Sequence, residues 1–465
     1  MAKTPLRTTI RWKECESKVS KLQRRIVEAY KAKDMLEVQK LTTLLISSFA
    51  ARTLAVRQVV TNKGAQTPGI DGIKWNTDEA KLSAVYALKE ASPGRYQAKP
   101  VRRVMIPKAN KPGEMRPLGI PTMFDRSVQA LYNLVLMPIA EATADNNSFG
   151  FRPKKSTMDA VNAFVYQLKS KSSPRMVYEG DIQQFFPTIS HDWILKNIPL
   201  PTEILKEFLK AGFMMDGHLT PTEEGVPQGG IISPTISNMT LDGMEEMLKT
   251  SLKDVWSSFQ KSFKVFRYAD DFVITGTEST KMRWLWTEKV LPALTKFMEI
   301  RGVKLHPTKS KLTSIYEESV TFLGFEIRLE HYEGFKRIFI YPGRKNVLSI
   351  IQKVRNVMQS LELSPGQVIE VLNPILRGWG QYYSQVSSTE AFAKVDYVVW
   401  QAYLHWLKKK YPRTAVKKLV QNHFEKVENS LIPIGTVVKD GKTMKIMLFR
   451  LTSIKAKTRK RTKKA

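Results

Sequence analysis

Apolar positions in the first sixty residues recur at helical spacing. Val19, Leu22, Ile26 and Ala29-Tyr30 fall three and four apart with Lys and Arg between them. Leu41, Leu44, Leu45 and Phe49 continue the pattern after a charged break, so residues 11–60 are predicted helical. Thr67-Pro68-Gly69-Ile70-Asp71-Gly72 is a turn cluster that ends this leader. Next comes a basic strand, Val101 to Pro107, a turn from Ala109 to Glu114, and a return from Met115 to Ile120. The pattern predicts a β-hairpin with Lys108 and Arg116 near its tip. Helices are predicted over 124–142, 238–250 and 283–301, and again over 345–361, 365–384 and 389–409. Met176-Val177-Tyr178 reads as a buried strand leading into Asp181. Thr321 to Ile327 reads as another strand, with Gly324 permitting close approach. No internal repeat is present.

One apolar run is interrupted by acid. In Val265-Phe266-Arg267-Tyr268-Ala269-Asp270-Asp271-Phe272-Val273-Ile274 two short strands flank an adjacent pair of carboxylates. Two like charges placed together are costly unless cations compensate them, so the pair is either a metal site or an acidic turn.

Charge changes the picture. The 74 Lys and Arg exceed the 43 Asp and Glu by 31, and the excess is spread along the chain. Its partner is then expected to be a polyanion, nucleic acid first and anionic membrane second. No apolar stretch is long enough to span a bilayer, and the first residues lack the apolar core of a signal peptide, so no membrane partner is expected. The length, 465 residues, exceeds what one core supports and predicts two to four domains. The single Cys15 excludes internal disulfides and cysteine-based zinc sites and fits a reducing cytosol. The basic leader is then a packing arm or an RNA-contacting one. From Lys455 to Lys464 the chain has seven Lys or Arg and no acid, either a disordered tail or a phosphate-contacting arm.

Asp181 ends one apolar strand as the Asp270-Asp271 pair ends another. If the strands are neighbours, three carboxylates converge at one sheet edge, as two-metal phosphoryl transfer requires. Lys108 and Arg116 could clamp a triphosphate, Arg bidentately. Gly225-Val226-Pro227-Gln228-Gly229-Gly230-Ile231-Ile232-Ser233-Pro234 is a glycine-rich turn opening a helix, whose small residues would let a nucleotide or template base approach the backbone.

The motifs form an ordered set. Ile106-Pro107-Lys108, Arg116 to Pro121, Ser148 to Pro153, Asp181 with Phe185-Phe186, Pro227 to Pro234, Tyr268 to Asp271 and Phe322 to Phe325 resemble bacterial group II intron reverse transcriptases. The Leu22 to Ile26 leader resembles that family's N-terminal extension. Asn373 to Trp379 with Tyr382-Tyr383 resembles its maturase region, and the likeness runs from about residue 11 to 450.

The resemblance implies an α+β right-hand polymerase, with fingers, a palm built on an antiparallel sheet and an α-helical thumb. The divisions expected are a helical, RNA-contacting N-terminal extension (1–75), fingers (76–170), palm (171–340), thumb or maturase domain (341–430) and a basic RNA- or DNA-contacting segment (431–465). It implies an RNA-directed DNA polymerase that uses two Mg2+ ions and dNTPs, and a protein that assists splicing of its intron RNA. Asp181, Asp270 and Asp271 would be catalytic and bind the metals. Lys108, Arg116, Phe186, Gln228, Gly229 and Lys309 would bind the dNTP, Phe186 as a steric gate and Lys309 as a proton donor to pyrophosphate or a surface lysine. Phe322, Leu323, Gly324 and Phe325 would grip the primer. Arg24, Arg25, Lys408, Lys409, Lys410, Lys455, Lys457, Arg459, Lys460 and Arg461 would contact RNA. Trp379, Trp400 and Trp406 are expected in the thumb core rather than stacked on bases. The partners implied are group II intron RNA, an RNA template and a DNA primer or target, bound by a monomer or dimer in the bacterial cytosol, near the nucleoid during retrohoming.

Pro187 stands where the family usually has Asp, and His306 where Asn is usual. Neither touches a metal position, so activity is expected to survive. Many members end in an HNH endonuclease that bears cysteines. With Cys15 alone, the expectation is a protein that does not cut target DNA and takes its primer from elsewhere, such as a nascent strand at a replication fork. The alternatives are a domesticated relative in phage defence, CRISPR adaptation or repair, and a non-catalytic splicing factor, against which the three intact aspartates argue.

Overall fold

A computed structural model describes residues 10–107, 113–169, 175–254, 262–277, 280–332, 335–439 and 441–454. Lys108 and the tail residues Lys455, Lys457, Arg459, Lys460 and Arg461 lie outside them. The chain divides into two compact units, Met1–Ser314 and Ile315–Ala465. The strands expected at the end of the palm, beyond residue 319, belong to the second.

The leader is three helices, Trp12–Lys31, Met35–Ser47 and Phe49–Thr61. Val19, Ile26 and Ala29 are buried, as the spacing predicts. Asp34 caps the second helix by accepting from Glu37 N–H, and extended Ser48 ends it while its side chain caps the third. Both breaks put an oxygen where the first turn has unpaired N–H groups. The leader packs on helix Met123–Thr143, most of whose residues are buried, and Gln23 Nε2 donates to Leu134 O at 2.7 Å. The buried Arg126 of that helix donates to Pro121, Gly64 and Thr67 carbonyls, which fixes the turn at 67–72.

Strands β1 (Val101–Pro107) and β2 (Met115–Ile120) form the expected basic hairpin, with Ile106 opposite Arg116. Apolar β3 (Met176–Gly180) stops at Asp181, which is followed by the two-residue β4 (Ile182–Gln183). β5 (Phe213–Met215) and β6 (His218–Thr220) extend the first hairpin in the order β2-β1-β5-β6. β7 (Lys264–Tyr268) and β8 (Asp271–Gly276) are the two halves of the acid-interrupted run. β9 (Lys304–Leu305) pairs with β4, and β10 (Lys311–Ser314) completes an antiparallel sheet in the order β10-β3-β8-β7. Val177, Phe266, Phe272, Val273 and Ile274 are almost wholly buried, which explains the near-continuous apolar runs.

Two helices expected as continuous are not. The first is Ser233–Leu241 and then Met244–Ser251, broken where Gly243 adopts φ +95° and Asp145 accepts from the Gly243 and Met244 N–H groups. The second runs as Thr280–Leu285, a π turn Trp286–Val290 and Leu291–Glu299.

In the second unit, β11 (Val320–Phe322), β12 (Phe325–Tyr332) and β13 (Phe335–Pro342) form an antiparallel meander. The continuous strand expected over 321–327 is instead a tight turn, because Leu323 and Gly324 both have positive φ. Helices Arg344–Val357, Pro365–Tyr383 and Thr389–Lys410 match the predicted spans closely. Val416–His423 follows, then β14 (Phe424–Val427), β15 (Ser430–Lys439) and β16 (Lys442–Met447), a sheet the sequence reading did not predict. Trp406 is 1% exposed and donates to Ser360 O, while half-buried Trp400 donates to Leu431 O. Half-buried Trp379 packs between Tyr383 and Phe392.

Candidate active site

Strand register assembles the acids. The β3–β8 ladder ends at Gly180 opposite Phe272, and the β7–β8 ladder at Tyr268 opposite Asp271. One step further along β3 sets Asp181 beside Asp271 at the same end of the sheet, with Asp270 in the two-residue loop. The segment after β9 fixes Asp181 from behind: His306 N–H donates to Asp181 O at 2.7 Å, and Ser310 Oγ lies 3.2 Å from both Asp181 N and Asp181 O. Lys309 Nζ stands 3.5 Å from Asp181 Oδ2 on the exposed side.

Burial and neighbouring charge hinder ionisation of Asp270 and Asp271. Asp271 keeps exposed surface at the sheet edge, while protein atoms crowd its carboxyl. Burial, then the charges of Asp270 and Asp181, push its carboxyl up to about 6. Burial also raises Asp270, against the pull of its own backbone N–H and of Arg116, with Asp181 raising it further. The field of Arg116 therefore reaches the acidic loop from the β1–β2 hairpin.

These carboxylates fit a divalent cation that arrives with its substrate. Among the described residues no group of three or more His, Cys, Asp and Glu side chains is gathered to hold an ion unaided. Magnesium needs only one or two carboxylates and completes its shell with water and substrate phosphates. Two carboxyls raised by burial and then by neighbouring acids mark a donor set short of positive charge.

The glycine-rich turn is bolted to both neighbours. Gly119 N–H of β2 donates to Gln228 O at 2.6 Å, and Gly229, at φ +114°, lies so close that a Cβ would sit 2.3 Å from Gly119 O. Val226 N–H donates to Phe186 O at 2.7 Å and Gly225 N–H to Ile189 O at 2.8 Å. Half-buried Phe186 meets Phe185 edge-on at 5.5 Å. The ring therefore sits on a short helix, Phe185–Thr188, that accommodates Pro187. Asp181, Phe186, Gln228, Gly229 and the hairpin bearing Arg116 are thus tied together by backbone hydrogen bonds and strand pairing.

In the second unit, the turn at Phe322–Phe325 is clasped by side chains of helices Arg344–Val357 and Pro365–Tyr383. Tyr382 Oη donates to Leu323 O at 2.9 Å, and Tyr383 Oη and Asn346 Nδ2 both donate to Gly324 O at 3.0 Å. Of the expected RNA contacts, Arg24 is exposed, and exposed Arg25 pairs with Glu37 at 3.2 Å. Lys408 and Lys409 are exposed, whereas Lys410 donates to Leu361 O and lies over Trp406.

Sequence reading missed Arg267, which is 1% exposed and donates to the carbonyl of Ala269 inside the acidic loop. An arginine between Phe266 and Tyr268 in a buried strand was the available signal, since only a paired charge survives there.

This arrangement defines a nucleotidyltransferase palm of the reverse transcriptase class. Residues 106–327 match the model of the reverse transcriptase (RNA-dependent DNA polymerase), 8–88 the N-terminal domain of reverse transcriptase, and 347–424 the group II intron maturase-specific domain. The chain is 32% identical over 328 residues to Protein YkfC of Escherichia coli, covering 67% of this chain and 82% of that one. It is 27% identical over 346 residues to the group II intron-encoded protein LtrA of Lactococcus lactis, covering 61% and 56%. A 91 kDa protein in a cob intron of Schizosaccharomyces pombe is 24% identical over 421 residues, covering 74% and 51%. The chain belongs to the family of group II intron reverse transcriptases and maturases. It spans most of YkfC but little more than half of the other two. No helix among the described residues is long and apolar enough to cross a membrane.

Proposed function

We propose that this protein is an RNA-directed DNA polymerase that binds a group II intron RNA, assists its splicing and copies it into cDNA. The observation that carries the reading is the register that sets Asp181 beside Asp271 with Asp270 in the adjoining loop, inside the field of Arg116. Asp181 and Asp270, completed by Asp271, would hold two Mg2+ ions. When bound, such ions would supply positive charge to the attacking and leaving oxygens of an in-line displacement.

The chain's own groups position the rest. Arg116 and Lys108 would take the triphosphate oxygens, Arg116 as a two-pronged donor. The Gln228-Gly229 backbone would face the incoming nucleotide, and the Phe186 ring would exclude a ribose 2′-hydroxyl. A primer 3′-hydroxyl would attack the α-phosphate and lose its proton to water as the new P–O bond forms, the bond from the α-phosphorus to the bridging oxygen would break, and Lys309 would donate a proton to the departing pyrophosphate. Phe322-Leu323-Gly324-Phe325 would hold the primer end. Arg24, Arg25, Lys408, Lys409 and the basic tail would meet RNA phosphates, as monomer or dimer in a reducing cytosol, whereas Lys410 is engaged on Leu361 O.

The test joins two assays on one preparation: extension of a DNA primer on an RNA template with Mg2+ and dNTPs, and splicing of the intron RNA that flanks the coding sequence. Wild type should do both, and Asp270→Ala should keep splicing while losing extension. Equal extension by both proteins overturns the polymerase assignment. Splicing no faster than for RNA alone overturns the maturase assignment.

A further inference from the structure

The loop that carries Asp270 is strained. Its first residue, Ala269, has φ +58°, a region that L side chains seldom enter and that glycine normally fills in such two-residue turns. The turn needs an outside restraint, and the structure supplies one in Arg267. Its Nη1 donates to Ala269 O at 3.2 Å and to Asn238 Oδ1 at 3.1 Å. Its Nη2 donates to Asn238 O at 3.3 Å and pairs with Asp242. The backbone joins in: Arg267 N–H donates to Asn147 O at 2.9 Å, and Phe149 N–H donates to Arg267 O at 2.8 Å. Asn238 Nδ2 then closes the circuit on Gly150 O at 2.7 Å. One buried guanidinium thus links the acidic loop, the end of helix Ser233–Leu241 and the segment 147–150.

Stability alone does not account for this network. Among the described residues Arg267 Nε and Asp242 Oδ2 have no partner, although both are buried. A buried ion pair with unpaired polar atoms is a poor source of folding free energy, and apolar replacements of similar volume often do as well. What an apolar residue cannot do is hold a carbonyl at a fixed point in a strained loop, as the rigid, five-donor guanidinium can.

We infer that Arg267 is a positioning residue for the catalytic carboxylates: anchored by Asn238 and Asp242, it fixes the Ala269 carbonyl and through it the direction in which Asp270 meets its metal. The inference rests on the proposed metal-binding role of Asp270. The discriminating variant is Arg267→Lys, which keeps the charge opposite Asp242 but cannot reach Ala269 O, Asn238 and Asp242 at once. Two readouts are decisive. One is Mn2+ binding to the protein in the presence of dNTP and a primer–template that lacks the 3′-hydroxyl, followed by electron paramagnetic resonance. The other is single-nucleotide incorporation resolved into kcat and the KM for dNTP.

Removing an outer support of a metal ligand costs about 10–100-fold in metal affinity, and a misplacement of about 1 Å costs about 10²-fold in rate. Arg267→Lys should therefore bind Mn2+ about 10-fold or more weakly and lose kcat by about 10²-fold, with Tm and RNA affinity near wild type. Asn238→Ala, which leaves the ion pair in place, should show the same pattern at reduced amplitude. If Arg267→Lys lowers Tm while the folded fraction keeps wild-type Mn2+ affinity and kcat, the residue is only structural and the inference falls. It also falls if nothing changes. Asp270→Ala is the control for the underlying reading: unchanged Mn2+ binding in that variant would refute the metal role of Asp270 itself, whatever Arg267→Lys does.

Discussion

Gly180 lies directly against the Phe272 ring, and Gly180→Ala makes that contact a test of how the acids are held. A Cβ built on Gly180 would lie 2.0 Å from Phe272 Cζ and 2.4 and 2.5 Å from its two Cε atoms. Carbon atoms in contact settle at about 3.5–4.0 Å, so the ring must move by roughly 1.5 Å or more. It has little room, being 1% exposed and tilted against Tyr178 at a centroid distance of 6.3 Å. Overpacking of this kind costs about 1–3 kcal/mol. The catalytic cost should be larger, because Phe272 adjoins Asp271 and Gly180 adjoins Asp181, so the ring is a wedge between the two acid-bearing strand ends. Displacing the carboxylates by about 1 Å should lower single-turnover incorporation by about 10²-fold. Phe272→Leu in the same chain should restore part of the rate, since the smaller side chain leaves room for the methyl group. The assay is single-nucleotide incorporation with melting measured on the same samples. Wild-type rate and Tm in Gly180→Ala, or no interaction between the two substitutions, would refute the packing argument.

The same structure makes three further outcomes expected. Trp406→Ala should destabilise the second unit by about 3–5 kcal/mol, because the ring is 1% exposed, stacks on Tyr403 and donates to Ser360 O; an unchanged melting curve would contradict a core role. Replacing exposed Lys408 and Lys409 by Ala should reduce the slope of log RNA affinity against log salt by about 1.4–1.8, at roughly 0.7–0.9 per phosphate, whereas Lys410→Met should leave the slope unchanged, its ammonium being engaged on Leu361 O. Asp271 titrates at about 6 in the folded protein, above the ordinary carboxyl value. The native state therefore holds its proton where the unfolded chain has lost it, and this group's contribution to stability falls as pH rises from about 4 to about 6. In metal-free protein, Asp271→Asn should raise Tm at neutral pH and lose that advantage below about pH 4; a gain that persists at low pH would contradict the charge-repulsion account.

Much of this site was legible in the sequence, and the illegible parts share a cause. The β7–β8 hairpin and the end of β3 announce themselves because buried strands demand unbroken apolar runs, and Asp181, Asp270 and Asp271 stand out where those runs stop. The breaks inside helices did not, because they depend on partners far away in the chain. Gly243 is an unremarkable helix glycine until Asp145, nearly a hundred residues earlier, accepts from its N–H and from that of Met244. The Leu323-Gly324 turn hides inside a β-like run because its carbonyls are claimed by Tyr382, Tyr383 and Asn346. The sheet β14–β16 escaped because Lys426, Lys439, Lys442 and Lys445 lie at its strand ends and edges, and the segment reads as a basic surface stretch. The place of Arg267 between Phe266 and Tyr268 signals a paired buried charge, but its partner, Ala269 O, is not encoded in the pattern of apolar positions.

Asp181 and Asp270, brought to one sheet edge by strand register, are expected to carry RNA-templated phosphoryl transfer. The most direct test is the single-turnover rate of dNTP addition to a DNA primer on an RNA template, compared among wild type, Asp181→Asn and Asp270→Asn with RNA affinity and melting measured in parallel. Rates at least about 10³-fold lower in both variants, with affinity and Tm unchanged or Tm slightly raised, are the predicted result. Addition by either variant at the wild-type rate would contradict it.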